Sequence, residues 1–152
     1  LALMKKHGTY YIPTISAGMF VAEKAKQKGY YPQIIVPKAL EIGPRLLNTF
    51  TTAYKFGIKI AFGTDSGVSY HGDNAKEFFY MVQGGMSEME AIRSATVIAS
   101  EMLDINDNLG SIESGKLADI IAVKGNPIKD ITFLQEVVFV MKEGKIYKSN
   151  ID

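Results

Sequence analysis

The sequence predicts an α/β fold in which two βα units are followed by a region made mainly of strands. Residues 9–15 (TYYIPTI) are rich in aromatic and β-branched types, and residues 58–62 (IKIAF) form an almost unbroken apolar run, so both are interpreted as strands. A helical pattern lies between them, and a strand, a helix and a strand at this spacing form a βαβ unit with parallel strands. After residue 108 turn residues alternate with short β-branched segments, which divides the chain into residues 1–108 and 109–152.

Three helices are predicted around the two strands. Residues 1–6 fit the last turns of a helix that stops at Gly8. Residues 17–28 indicate a short helix or lid. The longest helix is expected over residues 37–56, where Pro44 predicts a kink or a division into two shorter helices.

Two further helices are predicted after the second strand, at residues 74–84 and 87–103. Asn74 is followed three positions later by Glu77, and Ser87 is followed in the same way by Glu90. This is the spacing of a capping box, in which the polar side chain and the glutamate each accept a hydrogen bond from the other's backbone N–H. The sequence therefore predicts that both helices begin with a local capping box.

Composition narrows the class of protein. The 17 basic and 16 acidic residues argue against electrostatic capture of nucleic acid or of an anionic membrane. No segment approaches the ~20 apolar residues needed to span a bilayer. The lack of cysteine excludes disulfides and thiolate metal ligands. The cellular location stays open, with the cytoplasm favoured over the periplasm. The chain opens at Leu1 inside a helical pattern, so we expect a truncated, processed or partial chain.

Asp65 is the strongest candidate for a catalytic residue. It follows the second predicted strand after Gly63 and Thr64, and it is the only carboxylate between Glu41 and Asp73. The carboxyl ends of parallel strands carry the ligand sites of α/β proteins, so an acid at this position indicates a function. From position alone, an aspartate that makes a turn or caps a helix is an equally good interpretation.

The chain lacks the ligands for a complete metal site. Catalytic zinc sites use about three protein ligands drawn from histidine, cysteine and carboxylates. Here there are only two histidines, His7 and His71, far apart in the sequence and with no H-x-H pair. We therefore expect that this chain alone does not build a binuclear hydrolase site. Glycines 63, 67 and 72 do not match a phosphate-binding loop, so nucleotide binding is weakly supported.

The segment GIKIAFGTDSG, at residues 57–67, resembles the amidohydrolase superfamily. Further segments in the same order strengthen the resemblance: HGDNAKEF, GGMSEMEAIRSAT, GSIESGKLADIIAV, GNPIKDI and VVFVMKEGKIYK. The resemblance covers nearly the whole chain. It is closest to the imidazolonepropionase-like branch, which includes Xaa-Pro dipeptidases and related metal-dependent carboxypeptidases.

The resemblance implies the last two βα units of a (β/α)8 TIM-type metal-dependent hydrolase barrel, followed by the C-terminal strands of a small β-sandwich. Residues 9–15 would be strand seven and residues 58–62 strand eight. Residues 1–108 would belong to the barrel, and residues 109–152 would be the C-terminal share of a sandwich built from both ends of the parent chain. The first-strand H-x-H, the metal-bridging lysine or glutamate and two later histidines of the family are missing from this sequence.

The resemblance also implies roles for particular residues. The family's aspartate after strand eight binds the metal and handles protons, and Asp65 matches that position. Zinc is the expected metal, although a carboxylate also accepts manganese or iron. Such a metal lowers the pKa of bound water towards ~7, and Asp65 would accept the water's proton and pass it to the leaving amine. Ser66, Tyr70 and His71 would lie near the substrate, as would Thr14 after strand seven.

Two functions are therefore considered. The first is part of a metal-dependent hydrolase that cuts the C–N bond of an amide or peptide, with a dipeptidase, carboxypeptidase or imidazolonepropionase-like activity on a dipeptide or a cyclic amide. The second is a non-catalytic structural or complementing piece, because two strands leave unpaired edges and bare helix faces that need self-association or the remainder of the barrel. A compact α/β binding module with an incidental resemblance is a third, weaker interpretation.

Overall fold

The structure, a computed structural model, describes residues 1–150 and contains mixed α/β architecture. The helices are α1 (Ala2–His7), α2 (Ile15–Ala25), α3 (Val36–Lys55), α4 (Lys76–Gln83), α5 (Glu88–Ser94) and α6 (Val97–Met102). The strands are β1 (Tyr10–Tyr11), β2 (Lys59–Ile60), β3 (Ile120–Val123), β4 (Val137–Lys142) and β5 (Lys145–Ser149), and a 3₁₀ turn covers Ile131–Gln135. The predicted first helix is confirmed, and it ends at Gly8 with a φ of 63°.

The two strands of the first region pair in parallel, as the sequence predicts. Tyr10 lies opposite Lys59, and Tyr11 lies opposite Ile60. The Ala61 N–H extends the pairing by donating to the Tyr11 carbonyl at 3.1 Å. Because the strands are parallel, the segments that follow them leave the same edge of the sheet.

Both strands are shorter than predicted. Residues 9–15 do not form one strand, because Thr14 adopts the left-handed conformation and Ile15 already begins α2. Pro13 contributes to the early end, since it has no N–H for the ladder. The loop towards the next helix therefore starts earlier on both strands than the apolar pattern suggests.

Helix α3 is a single helix that contains Pro44, so the predicted division into two helices does not occur. The neighbouring Gly43 explains why this stretch is kept helical against α2. A Cβ on Gly43 would lie 2.9 Å from the Gly18 carbonyl oxygen and from the Met19 Cα. Two glycines thus let the backbones of α2 and α3 approach closely, and the packing offsets the hydrogen bond that proline removes.

The predicted helix over residues 87–103 is wrong, because the chain forms α5 and α6 with a break between them. Thr96 has φ −120° and ψ −96°, outside the helical region. Its hydroxyl donates to the Ile92 carbonyl at 2.9 Å, and the Ala95 N–H donates to the same carbonyl at 3.1 Å.

One core joins most of the elements. It contains Ile15, Phe50, Ala53, Ile58, Ile60, Met81, Met86, Ala91, Ile131 and Leu134. The last two residues come from the 3₁₀ turn that packs on α4. The remaining strands form a separate antiparallel sheet in the order β3-β4-β5. Among residues 1–150, no helix combines the length and the apolar character that a bilayer span requires.

Candidate active site

The two parallel strands lead into residues with unusual backbone conformations. Thr14 follows β1 with φ 47° and ψ 45°, and Asp65 follows β2 with φ 50°. A non-glycine residue in the left-handed region is uncommon, and for a β-branched threonine it is a genuine outlier. Such strain persists where the surrounding structure holds it, and it concentrates at functional sites. Both candidates thus lie beyond the same sheet edge.

The backbone before Asp65 is held by a close approach of the two strand ends. A Cβ on Gly63 would collide with the side chain of Ile12, so only glycine fits at that position. The Phe62 N–H donates to the Ser94 carbonyl at 3.0 Å, which ties the strand end to α5. These contacts fix the point from which the Asp65 loop leaves the sheet.

The Asp65 side chain is exposed and has no partner among the described residues. Its backbone carbonyl accepts from the Val68 N–H at 3.1 Å, which closes a turn. Its carboxylate makes no hydrogen bond or ion pair with any residue in the range 1–150. The N-cap of the next helix is Ala75, so Asp65 does not cap α4. The carboxylate is therefore available to a ligand, and its catalytic and metal-binding roles stay predictions.

The other candidates of the same loop are placed differently. Ser66 carries a buried hydroxyl that has no hydrogen-bond partner in the described part of the chain. His71 is exposed. Tyr70 is 62% exposed, and its ring meets the Phe20 ring of α2 edge to face at 5.3 Å. Ser66 follows Asp65 directly in the sequence with a buried hydroxyl, whereas Tyr70 packs against the neighbouring helix.

An aromatic cluster, formed by Phe20, Tyr30 and Tyr70, surrounds a lysine beside this loop. The Lys24 Nζ lies 5.3 Å from the Phe20 centroid, 5.6 Å from that of Tyr30 and 5.5 Å from that of Tyr70. Cation–π contacts at such distances are favourable. Sequence analysis did not single out Phe20 or Lys24, although their spacing of four residues places them on one face of a helix.

Glu77 is the most deeply buried charged residue described, and its capping role was predicted wrongly. Its side chain is fully buried and accepts hydrogen bonds from the Ile15 N–H at 2.9 Å and the Ser16 N–H at 2.7 Å. Asn74 instead accepts from the Gly72 N–H at 3.2 Å. Burial raises the pKa of Glu77, and the hydrogen bonds from Ser16 and Ile15 oppose that rise. The predicted capping box at Asn74 is replaced by a contact between two helices.

The residues present fit one part of a metal site. Asp65 offers an unpaired oxygen ligand of the kind that divalent metals accept, and the orphaned Ser66 hydroxyl lies next to it in the chain. Within residues 1–150, however, no group of three or more His, Cys, Asp or Glu side chains is arranged to hold a metal ion.

An apolar groove is lined by residues other than Asp65. It has a volume of about 580 Å³ and lies between α5, α6 and β3. Its walls are mainly apolar and include Ile92, Leu103 and Ile120. None of the predicted site residues lines this groove, so the groove does not mark the candidate site.

Comparison with known proteins identifies the class. Residues 1–147 match the amidohydrolase family, and the chain belongs to it. The family is generally metal-dependent. The predicted resemblance and the predicted fold class are therefore confirmed.

Three relatives illustrate the similarity. The chain is 58% identical to a Xaa-Pro dipeptidase whose crystal structure has methionine bound in the active site, with a TM-score of 0.92 over 97% of this chain and 36% of that one. It is 27% identical to a prolidase complexed with N-methylphosphonate-L-proline, with a TM-score of 0.83 over 97% of this chain and 37% of that one. It is 34% identical to ochratoxinase of Aspergillus niger over 96% of this chain and 31% of the relative.

The chain spans about a third of the length of these relatives. The matched part is their C-terminal portion. The boundary between residues 1–108 and 109–152 remains a prediction.

Proposed function

We propose that this chain forms the C-terminal part of a metal-dependent hydrolase that cleaves an amide or peptide C–N bond, with Asp65 as its acid–base residue. The observation that carries the proposal is the Asp65 carboxylate, which is exposed, unpaired within the described residues and held by a left-handed backbone at the end of β2. The identity of 58% to a Xaa-Pro dipeptidase supports the reaction class.

The proposed chemistry uses a carboxylate that takes and returns one proton. A bound divalent metal would supply an acidified water and a polarised scissile carbonyl. Asp65 would accept a proton from the attacking water and deliver it to the leaving nitrogen, because an amine leaves far more easily than an amide anion. A nearby cation favours the ionised carboxylate, which keeps Asp65 ready to accept. Thr14 and Ser66 would provide hydroxyls near the substrate.

Xaa-Pro dipeptides are the proposed substrate class, with zinc as the expected metal. The similarity to a Xaa-Pro dipeptidase and to a prolidase supports this choice. Ochratoxinase, at 34% identity, favours including other amides in a substrate panel. The panel should therefore contain Met-Pro and further Xaa-Pro dipeptides, one N-acyl amino acid and one cyclic amide.

Replacing Asp65 tests the proposal in the complete enzyme. Asp65→Asn keeps the size of the side chain, and asparagine tolerates the left-handed conformation, so folding should be preserved. We expect kcat to fall about 10³-fold or more, because proton transfer by a positioned group contributes 10²–10⁴-fold and the metal loses a charged ligand. Steady-state kinetics on the panel measures the loss.

Asp104→Asn is the matched control. Asp104 is also an exposed aspartate in the left-handed conformation, with φ 61°, and it lies outside the candidate site. We expect its kcat to stay within about 2-fold of the wild type. Wild-type activity in Asp65→Asn would refute the assignment of Asp65.

A second candidate function concerns the 152-residue chain by itself, as a structural or complementing piece. Several large apolar side chains are exposed, including Ile34 at 90%, Ile112 at 83% and Leu3 at 70%. Such surfaces fit burial against a second copy or the remainder of a barrel. Size-exclusion chromatography of this chain should show self-association, and metal analysis should find no stoichiometric zinc. A dispersed monomer that retains zinc would contradict this candidate.

A further inference from the structure

Glu77 links the helices that follow the two parallel strands. It lies in the first turn of α4, the helix entered from the Asp65 loop. Its carboxylate oxygens accept from the N–H groups of Ile15 and Ser16, which open α2 directly after Thr14. One side chain therefore connects the segment after β1 with the segment after β2.

The environment of Glu77 makes this contact specific. The side chain is fully buried, where an isolated carboxylate would be strongly disfavoured. Each carboxylate oxygen has its own N–H donor, and the donors belong to the N-terminus of the 11-residue helix α2, which favours negative charge. An amide side chain at this position has one acceptor oxygen and would leave one of the two buried donors without its partner.

The hydrogen bonds act next to the strained residue Thr14. Its left-handed conformation turns the chain so that the two following N–H groups meet Glu77. Thr14 has no side-chain capping contact of its own with α2. The conformation of Thr14 is thus held by Glu77, which lies 63 positions later in the sequence.

We propose that Glu77 is a positioning residue, which sets the place of the Thr14 segment relative to the Asp65 loop and thereby the alignment of substrate and acid–base group. This inference rests on the proposed function of Asp65. Misplacing reacting groups by about 1 Å can reduce turnover by up to about 10²-fold. Glu77 itself touches neither substrate nor metal in this proposal.

The test is Glu77→Gln in the complete enzyme. Glutamine keeps the shape but supplies one acceptor oxygen, so its amide group faces one of the two backbone donors. We expect a folded enzyme with wild-type metal content, a lower Tm and a kcat that is about 10- to 100-fold lower, with KM changed less than about 3-fold.

Met81→Ala provides a control for stability alone. Met81 is fully buried one turn further along the same helix. Among the described residues, its side chain forms no hydrogen bond with the Thr14 segment. It should lower Tm at least as much as Glu77→Gln while kcat, measured well below Tm, stays at the wild-type value. An equal loss of kcat in both variants would reduce Glu77 to a structural role and overturn the proposal.

Glu77→Asp covers the case in which Glu77→Gln does not fold. Aspartate keeps both oxygens and the charge but is shorter by one methylene, so it draws the two segments together or loses one bond. We expect a reduced kcat in the folded variant, and wild-type kcat in either folded Glu77 variant overturns the inference. An inactive Asp65→Asn enzyme beside a fully active Glu77 variant refutes only this inference, whereas an active Asp65→Asn enzyme refutes the proposed function.

Discussion

The segments Asn74–Glu77 and Ser87–Glu90 have the same capping-box spacing and different structures. At the start of α5 the box closes locally: Ser87 accepts from the Glu90 N–H at 3.3 Å, and Glu90 accepts from the Ser87 N–H at 3.1 Å. At the start of α4 it does not form, because Glu77 bonds to the N-terminus of α2.

The difference teaches that burial decides which partner a glutamate takes. Glu90 is exposed, and its second partner is the hydroxyl of Tyr54 at 2.9 Å. Glu77 is fully buried beside two N–H groups that have no partner within their own helix. Leaving those donors unsatisfied in the core would be more unfavourable than leaving a helix start without its cap, so the contact between helices prevails.

The largest expected effect is the difference between Glu77 and Glu90 in their contribution to the free energy of unfolding. Glu77→Ala should lower the free energy of unfolding by about 3–5 kcal/mol, because two buried donors lose their acceptor and a cavity forms. Glu90→Ala should lower it by about 1 kcal/mol or less, since water replaces an exposed cap. Urea denaturation of both variants measures the two values. Equal values would show that burial is not the deciding factor.

A smaller effect concerns the polar residues of the two segments. Ser87→Ala should lower the free energy of unfolding by about 1 kcal/mol, because it removes an N-cap. Asn74→Ala should change it by about 0.5 kcal/mol or less, because the hydrogen bonds described for the Asn74 side chain are exposed and join it to the loop residues Gly72 and Thr64. If Asn74→Ala proved as destabilising as Ser87→Ala, the loss of the first capping box in solution would be contradicted.

The smallest expected effect is that the contributions of Glu77 and Glu90 to the free energy of unfolding change with pH in opposite directions. Burial raises the pKa of Glu77 above its ordinary value of 4.5, so its contribution to stability is greatest at and below pH 4.5 and falls as pH rises towards the folded-state pKa. The pKa of Glu90 is lowered most by the hydrogen bond from the Ser87 hydroxyl and next by the hydrogen bond from the Tyr54 hydroxyl. Its contribution is present above pH 4.5 and is lost as pH falls through the lower folded-state pKa.

Unfolding free energies of the wild type, Glu77→Gln and Glu90→Gln between pH 3 and 7 test these signs. The difference between the wild type and Glu77→Gln isolates the first group, whose neighbours Tyr11 and Tyr80 stay neutral in this range, since burial raises the pKa of each further above its ordinary value of 10.0. If both differences in unfolding free energy changed with pH in the same direction, the opposite pKa shifts of Glu77 and Glu90 would be contradicted.

Part of the candidate site could be predicted because it depends on local order in the chain. An apolar strand followed by GTDSG places Asp65 beyond a strand end, whereas Thr14 was expected near the substrate from the family resemblance and lay inside the strand predicted over residues 9–15. The structure confirms the parallel pairing of those strands. The break at Thr96 and the early start of α2 were missed, because each depends on contacts that the periodicity of apolar residues does not contain.

The sequence by itself determined the family, the α/β class, the parallel strand pair and the position of an acid after the second strand, since these follow from nearest neighbours, periodicity and a series of ordered motifs. Only the tertiary structure decided that Glu77 accepts hydrogen bonds from α2 instead of capping α4, and that Thr14 is held in a left-handed conformation. The physical reason is that buried donors must find acceptors, and the acceptor nearest in space is here far away along the chain.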